Sequence, residues 1–294
     1  QAPSADPALA QDYEPRPAIW RLADADTTIF LFGTIHLLPE GFRWRNPQFD
    51  QVLASVDTLV LESSTQDAEH SLAVHSGKIA ALTAATPSIS SRLSPAVRGK
   101  WRQLIEQSGQ PFALVDRMPL PLAIMGFGYS VGEGAVSSYE FGVETVLEAE
   151  FAATGRPVES IESHGGVLLS LMRLDDEAML RELEADLASW PGTDAAMADS
   201  GATTPDEGPW AMEHAWAQGR IAEDFDLGLG PGKTGRAFHR VLLTRRNAAW
   251  ARWLEARLDQ PGTIMVAVGA GHFEGRDSLL AMLAERGLSA VRIN

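Results

Sequence analysis

Apolar residues in this chain fall either into short unbroken runs or into longer stretches with helical spacing. Two runs matter most. Thr28-Ile29-Phe30-Leu31-Phe32-Gly33-Thr34-Ile35-His36 lies near the amino end, and Thr263-Ile264-Met265-Val266-Ala267-Val268-Gly269-Ala270-Gly271-His272 near the carboxyl end. An unbroken, β-favouring run predicts a strand buried on both faces, as in a parallel sheet. Each run ends at Gly-x-x-His. Glycine lets the backbone turn sharply or approach a ligand closely, and the histidine then falls just past the carboxyl end of its strand. In open α/β sheets that edge is where ligands bind. A lone Gly-x-x-His arises easily by chance. Two copies in the same strand context predict histidines that converge on one site.

The remaining pattern predicts alternating strands and helices. Residues 20–32 read as a hairpin turning at Asp24-Ala25-Asp26. Pro47 opens a short helix over 47–55. Thr58-Leu59-Val60-Leu61-Glu62 is a further buried strand, ending in a carboxylate. Helices follow over 67–84 and 95–107. Residues 111–130, rich in Pro, Gly and Met, fit a helical hairpin or a substrate-facing loop. Val143, Val146, Leu147 and Phe151 share one face of a helix over 139–154, with Gly155 as its C-cap. Pro157-Val158-Glu159-Ser160-Ile161-Glu162 is a short strand that again ends in a carboxylate. Residues 166–190 are helical and acidic, and 191–209 a loop or linker. A long helix spans 235–258. Strand 263–268, helix 275–286 and strand 288–293 close the chain as a βαβ unit with parallel strands.

The expected fold is therefore α/β: a central, mostly parallel or mixed sheet with helical insertions, and a ligand site at the carboxyl edge of the strands. Residues 1–17 are expected as a flexible amino end. Residues 18–294 are expected as a single domain with a helical insertion over roughly 67–135.

On this layout His36, Glu62, Glu162 and His272 all follow short apolar strands and gather at one edge. Two imidazoles and one or two carboxylates suit zinc, manganese, iron or cobalt. A carboxylate outside the metal shell serves as general base. Taken singly, Glu62 and Glu162 also read as strand ends facing solvent. Arg246 lies within the apolar stripe formed by Leu242, Trp250 and Leu254, where it either snorkels or pairs with a buried anion. Arg245 lies nearer the stripe's edge, and Asn247 is placed to bond or cap locally. His70 and His75 read as solvated, His164 as a candidate to line the site, and His214 and His239 as surface or core residues. Trp216, Trp250 and Trp253 fall at helical spacing and read as packing. Gly228-Leu229-Gly230-Pro231-Gly232-Lys233-Thr234 resembles a phosphate loop but is one residue short between its glycines, and no strand precedes it.

Composition narrows the chemistry. The 294 residues carry a net charge of −15, which argues against nucleic acid and anionic membranes as partners. No cysteine is present, so thiolate catalysis, iron–sulfur clusters and Cys-held zinc are excluded. Any metal must be held by His, Asp or Glu. No apolar stretch reaches the length of about 18 residues that a membrane span needs. The Pro/Ala-rich amino end reads as a mature end left after signal-peptide removal, or as a trimmed chain. The expected location is the periplasm or the exterior.

Several short motifs, in order and spacing, resemble the TraB/GumN family. They are Phe30-Leu31-Phe32-Gly33-Thr34-Ile35-His36-Leu37-Leu38-Pro39, Asp57-Thr58-Leu59-Val60-Leu61-Glu62, Gly142-Val143-Glu144, Gly155-Arg156-Pro157-Val158, Ile161-Glu162, Trp216-Ala217-Gln218-Gly219, Arg246-Asn247 and Val268-Gly269-Ala270-Gly271-His272-Phe273-Glu274-Gly275. The resemblance implies kinship with the Tiki proteins, metal-dependent proteases acting on secreted signalling proteins. It implies more distant kinship with erythromycin-esterase-like and haem-binding ChaN-like proteins. The shared histidines and acids map to His36, His272, Glu62 and Glu162; members often carry Asp where this chain has Glu144. The resulting expectation is a metal-dependent hydrolase of peptide or related bonds. His36, Glu62 and His272 would hold the metal, and Glu162 would be a further ligand or the base. Arg246 would steady the oxyanion or the carboxylates. The alternatives are an exported haem- or peptide-binding protein without turnover, or a pseudoenzyme in an envelope assembly.

Overall fold

The computed structural model describes residues 9–128, 137–174, 177–192, 210–225 and 227–294. The chain opens with the expected hairpin, β1 (Ile19–Ala23) and β2 (Thr27–Thr34). Asp24 holds its turn: the carboxylate accepts the amides of Asp26 at 3.2 Å and Thr27 at 2.9 Å. Further strands are β3 (Leu38–Pro39), β4 (Thr58–Leu61), β5 (Ser137–Ser138), β6 (Val158–Ser160), β7 (Gly262–Gly269) and β8 (Val291–Arg292). β3 and β5 form a small separate ladder, and the rest form a six-stranded sheet in the order β6-β4-β7-β2-β1-β8. β6, β4, β7 and β2 run parallel. The two motif strands are direct neighbours, paired from Thr27 opposite Gly262 to Thr34 opposite Gly269.

The helices are α1 (Pro47–Ala54), α2 (Thr65–Ala85), α3 (Ile89–Arg92), α4 (Arg98–Gln107), α5 (Phe112–Val115), α6 (Leu120–Gly128), α7 (Val143–Ala153), α8 (His164–Met172), α9 (Glu177–Ser189), α10 (Ala211–Ala217), α11 (Lys233–His239), α12 (Arg245–Arg257) and α13 (Leu279–Glu285). Side chains alternate along a strand, so each apolar run feeds two cores. Phe32, Leu59, Leu61 and Met265 pack against Phe49 and Leu53 of α1 and Leu147 and Phe151 of α7. Ile29, Leu31, Val60 and Val266 pack against Trp250 and Leu254 of α12 and Leu279 and Leu283 of α13. Helices on both faces explain why these strands read as unbroken apolar runs. A third cluster lies among helices and joins Trp101, Leu120, Leu171, Leu187 and Phe238.

Where the structure departs from the sequence pattern, local causes are visible. The helix expected from residue 139 begins at Val143. Gly142 ahead of it is extended and lies so close under the His36 carbonyl that a Cβ there would overlap it. Gly155 caps this helix at φ 68°, as expected. Residues 111–128 resolve as the helices α5 and α6 rather than a loop. The acidic stretch 166–190 is divided into α8 and α9, and of the expected linker only residues 191 and 192 are described. The expected 235–258 helix starts earlier, at Lys233, and widens into a π turn over Arg240–Thr244 between α11 and α12. β8 keeps only Val291 and Arg292, exposed at the sheet edge. It runs in the sense of β7, as the βαβ reading requires, with β2 and β1 between them.

The helices expected as one insertion share their core with α8, α9 and α11, so that layer comes from separate stretches of chain. Residues 9–17 lie against the domain. Asn46 Nδ2 donates to Pro15 O at 2.6 Å, and Arg16 N to Ala217 O at 2.6 Å. Among the described residues, no helix is long and apolar enough to cross a membrane.

Candidate functional site

Parallel pairing brings the strand-end residues together. The β4–β6 ladder runs past both strands, with Ile161 N on Leu61 O at 2.9 Å and Glu162 N on Glu62 O at 3.2 Å. Glu62 and Glu162 therefore leave neighbouring strands side by side. β7 lies between β4 and β2, so Gly269 and the 3-10 turn Ala270–Phe273 sit between Glu62 and His36. A Cβ on Gly269 would lie 3.2 Å from Glu62 Oε1, 3.6 Å from His36 Nε2 and 3.7 Å from His272 Cδ2. Three of the sequence-derived site residues thus surround one glycine, and any side chain there would enter the space between them.

Arg246 closes this arrangement from α12. Its Nε bonds Glu162 at 2.9 Å, and its Nη2 bonds Glu162 Oε1 at 2.5 Å and also Glu62 Oε2. Nη1 bonds Leu242 O at 2.8 Å in the π turn and His272 Nε2 at 3.1 Å. The π turn directly precedes Arg246, in keeping with the tendency of such bulges to sit at functional positions. Of the alternatives for Arg246, the structure shows the paired one, with its side chain 13% exposed. Arg245 is exposed, which fixes the helix phase as read from the sequence.

Each motif histidine is anchored through Nδ1. His36 Nδ1 meets Glu144 Oε1 at 2.6 Å, and Thr34 Oγ1 donates to the same oxygen. His272 Nδ1 meets Asn247 Oδ1 at 2.6 Å. Asn247 Nδ2 donates to Asp277 O at 2.9 Å, which fixes its amide orientation. His272 Nδ1 is therefore the donor, and its Nε2 carries the lone pair that accepts from Arg246 Nη1. Glu144, Asn247 and Trp250 escaped the sequence reading as site residues. Trp250, expected only as packing, donates to Glu162 Oε2 at 3.2 Å and stacks under Arg246. Asn247, expected to bond locally, bonds across to the second motif. The signal for Glu144 was a carboxylate in the first turn of a helix within a family motif.

The electrostatics follow from this packing. Burial opposes the charge of Glu62, but Arg246, the two histidines and the Gly269 amide outweigh it and hold the carboxyl well below its usual range. Burial and the neighbouring Glu62 charge push Glu162 up, against the pull of Arg246. Arg246 is held above its ordinary value: the two carboxylates outweigh its burial. Burial drives His272, 5% exposed, down to about 3. His36 is the open member at 46% exposure. Burial lowers it, but the hydrogen bond to Glu144 and the charges of Glu144 and Glu62 prevail and raise it to about 9.

Other candidates lie elsewhere. His70 and His164 are exposed. His75 bonds Ser71 O in its own helix, His214 meets Tyr13, and His239 meets Asp277. The phosphate-loop look-alike is filled by the protein itself: Glu182 accepts the amides of Lys233 at 2.7 Å and Thr234 at 2.8 Å.

The donor chemistry at the sheet edge fits a divalent cation. With neutral imidazoles, Glu62, Glu144 and Glu162 exceed Arg246 by the charge of one such ion. His272 Nε2 lies 3.7 Å from Glu62 Oε1, and His36 Nε2 and Glu62 Oε1 both border Gly269. Among the described residues, no three His, Asp or Glu side chains are already drawn together as a metal cage; Arg246 stands between Glu62 and His272.

The fold and this constellation define an α/β protein whose paired Gly-x-x-His motifs meet two carboxylates and an arginine at a parallel-sheet edge. The sequence profile of the TraB/PrgY/gumN family matches residues 18–292. The chain belongs to that family. No curated protein and no solved structure matches it.

Proposed function

We propose that this protein is a metal-dependent hydrolase of peptide or protein substrates, exported to the periplasm or beyond. His36, Glu62 and His272 would hold one divalent transition ion such as Mn, Co, Zn or Fe. The observation that carries the reading is the convergence of His36 Nε2, His272 and Glu62 Oε1 around Gly269. Anchoring each ring at Nδ1 orients it and leaves Nε2 as the ligand atom, the usual outer-shell arrangement of metal-bound histidine. A bound ion would supply Lewis acidity and lower the pKa of a water.

The chain's own residues do the rest. Glu162, raised by burial and beside Glu62, accepts a proton as general base or adds a ligand. Arg246 grips the two carboxylates with its planar fork and offers positive charge to a developing oxyanion. His36, at the exposed side, faces the incoming substrate.

Metal analysis of full-length protein purified without a His-tag tests the site. One equivalent is expected in the wild type, and clearly weakened, substoichiometric retention in His36→Ala and His272→Ala. Full stoichiometry in both variants defeats the shared site. A peptide-library digest read by mass spectrometry tests the activity, which should vanish in chelator and return with Mn²⁺, Co²⁺ or Zn²⁺. Haem or peptide binding with no cleavage would favour a binding protein instead.

A further inference from the structure

We infer that Arg246 is a resident cation that shares its seat with the metal, so that the ion enters only as the guanidinium lets go of His272. This rests on the metal reading above, but it assigns Arg246 a job that reading does not contain: control of loading.

The geometry points this way through one hydrogen bond. The Asn247 carbonyl fixes the proton on His272 Nδ1, so Nε2 is the ring's only lone pair. Arg246 Nη1 donates to that lone pair at 3.1 Å. An imidazole nitrogen cannot serve a guanidinium N–H and a metal at once. The same guanidinium covers Glu62 Oε2, while Glu62 Oε1 is 3.7 Å from His272 Nε2 and takes the Gly269 amide at 2.8 Å. Arg246 thus occupies one ligand atom outright and one carboxylate in part. It also neutralises two acids that would otherwise be buried together without a cation, an arrangement that is costly. Arginine can do this because its fork presents separate nitrogens to Glu162, Glu62 and His272. His36 is outside its reach in the hydrogen-bond pattern, being held by Glu144. Loading then proceeds from the open His36 side toward His272, with Nη1 falling back on Leu242 O.

Arg246→Lys separates this from a simple charge effect, because lysine keeps the positive charge for the carboxylates but lacks the second nitrogen that reaches His272. Dissociation constants for Zn²⁺ alone are measured by equilibrium dialysis on the full chain. Wild type, Arg246→Lys, His272→Ala and the double variant are compared, with circular dichroism as the check on folding. The expected result is tighter zinc binding by Arg246→Lys, about tenfold, and no gain when His272 is already alanine; such a cycle isolates the pairwise effect. Equal affinities for wild type and Arg246→Lys, or the same gain in both backgrounds, overturn the inference while leaving the metal site standing. Zinc bound by Arg246→Lys but not by wild type supports the inference and removes the metal reading of the native protein. No zinc on any folded variant removes both. If Arg246→Lys does not fold, the ¹⁵N resonance of the Arg246 side chain provides a second test. That measurement is made on wild type, where Arg246 and its bond to His272 are in place and zinc should displace the resonance. An unmoved resonance on zinc saturation overturns the exchange.

Discussion

His36 and Glu144 show how much one contact sets at the residue scale. The carboxylate lifts the imidazole to about 9, above its ordinary 6.5. A group raised on folding stabilises the fold fully below its unfolded value and loses that contribution as pH rises through the folded value. His36 therefore favours folding below about pH 6.5, and this fades toward pH 9. In Glu144→Gln the imidazole, followed by NMR, should titrate well below 9, and the loss of stability across that window should flatten. Glu213 shifts in the same direction, but through burial rather than a partner. It is 8% exposed and burial raises its carboxyl. It too is better bound to its proton in the fold, so it favours folding in acid and works against it at neutral pH. Glu213→Gln should raise the melting temperature at pH 7 and change little at pH 4. Which residues meet at the sheet edge was legible where the period placed them: both histidines, both strand-end carboxylates and the phase of Arg246. Glu144 and Asn247 were not, because their partners are set by tertiary contact. A first-turn helix carboxylate looks the same in sequence whether it faces water or an imidazole.

At the scale of elements, the limits of a strand or helix were decided by close approaches that periodicity does not encode. Val143 to Phe151 gave the helix face correctly, but Gly142 ends it, since its backbone lies against His36 O and Val143 N bonds Ile35 O at 3.0 Å. Gly142→Ala should push the helix off the first motif and cost about 1–3 kcal/mol in chemical denaturation, as overpacking does. The π turn was illegible for a related reason. Its sequence, Arg240-Val241-Leu242-Leu243-Thr244, suits an ordinary helix, and His239, Thr244 and Arg246 around it bond to residues distant in sequence. Lys233→Ala should leave the absence of ATP binding unchanged by calorimetry, because Glu182 already occupies the amides at that helix start. ATP binding abolished by the substitution would reverse the reading of that loop.

At the scale of the molecule, the sequence announced a mostly parallel α/β sheet but not the strand order. Unbroken runs signal cover on both faces; they carry no information about which run neighbours which. The repeated Gly-x-x-His came closest to doing so, since two histidines of one site must lie near each other. That constraint is met by the most direct means, β2 against β7 in full register.

The place of β7 also has a consequence for how the protein comes into being. It lies inside the parallel set, flanked by β4 and β2, yet it follows the other three parallel strands in the chain. A nascent chain that has emerged only to residue 261 holds two strands meant to sit on either side of a third that does not yet exist. Their unpaired apolar edges are the kind that associate with other chains, and closing the gap spans most of the polypeptide, which slows folding. The edge that gathers His36, Glu62, Glu162 and His272 is consequently assembled only once residues beyond 261 have been made. A fragment ending at residue 261 should show no cooperative melt by circular dichroism. Adding a synthetic 262–294 peptide should restore one, where removal of an edge strand would have left the sheet largely intact.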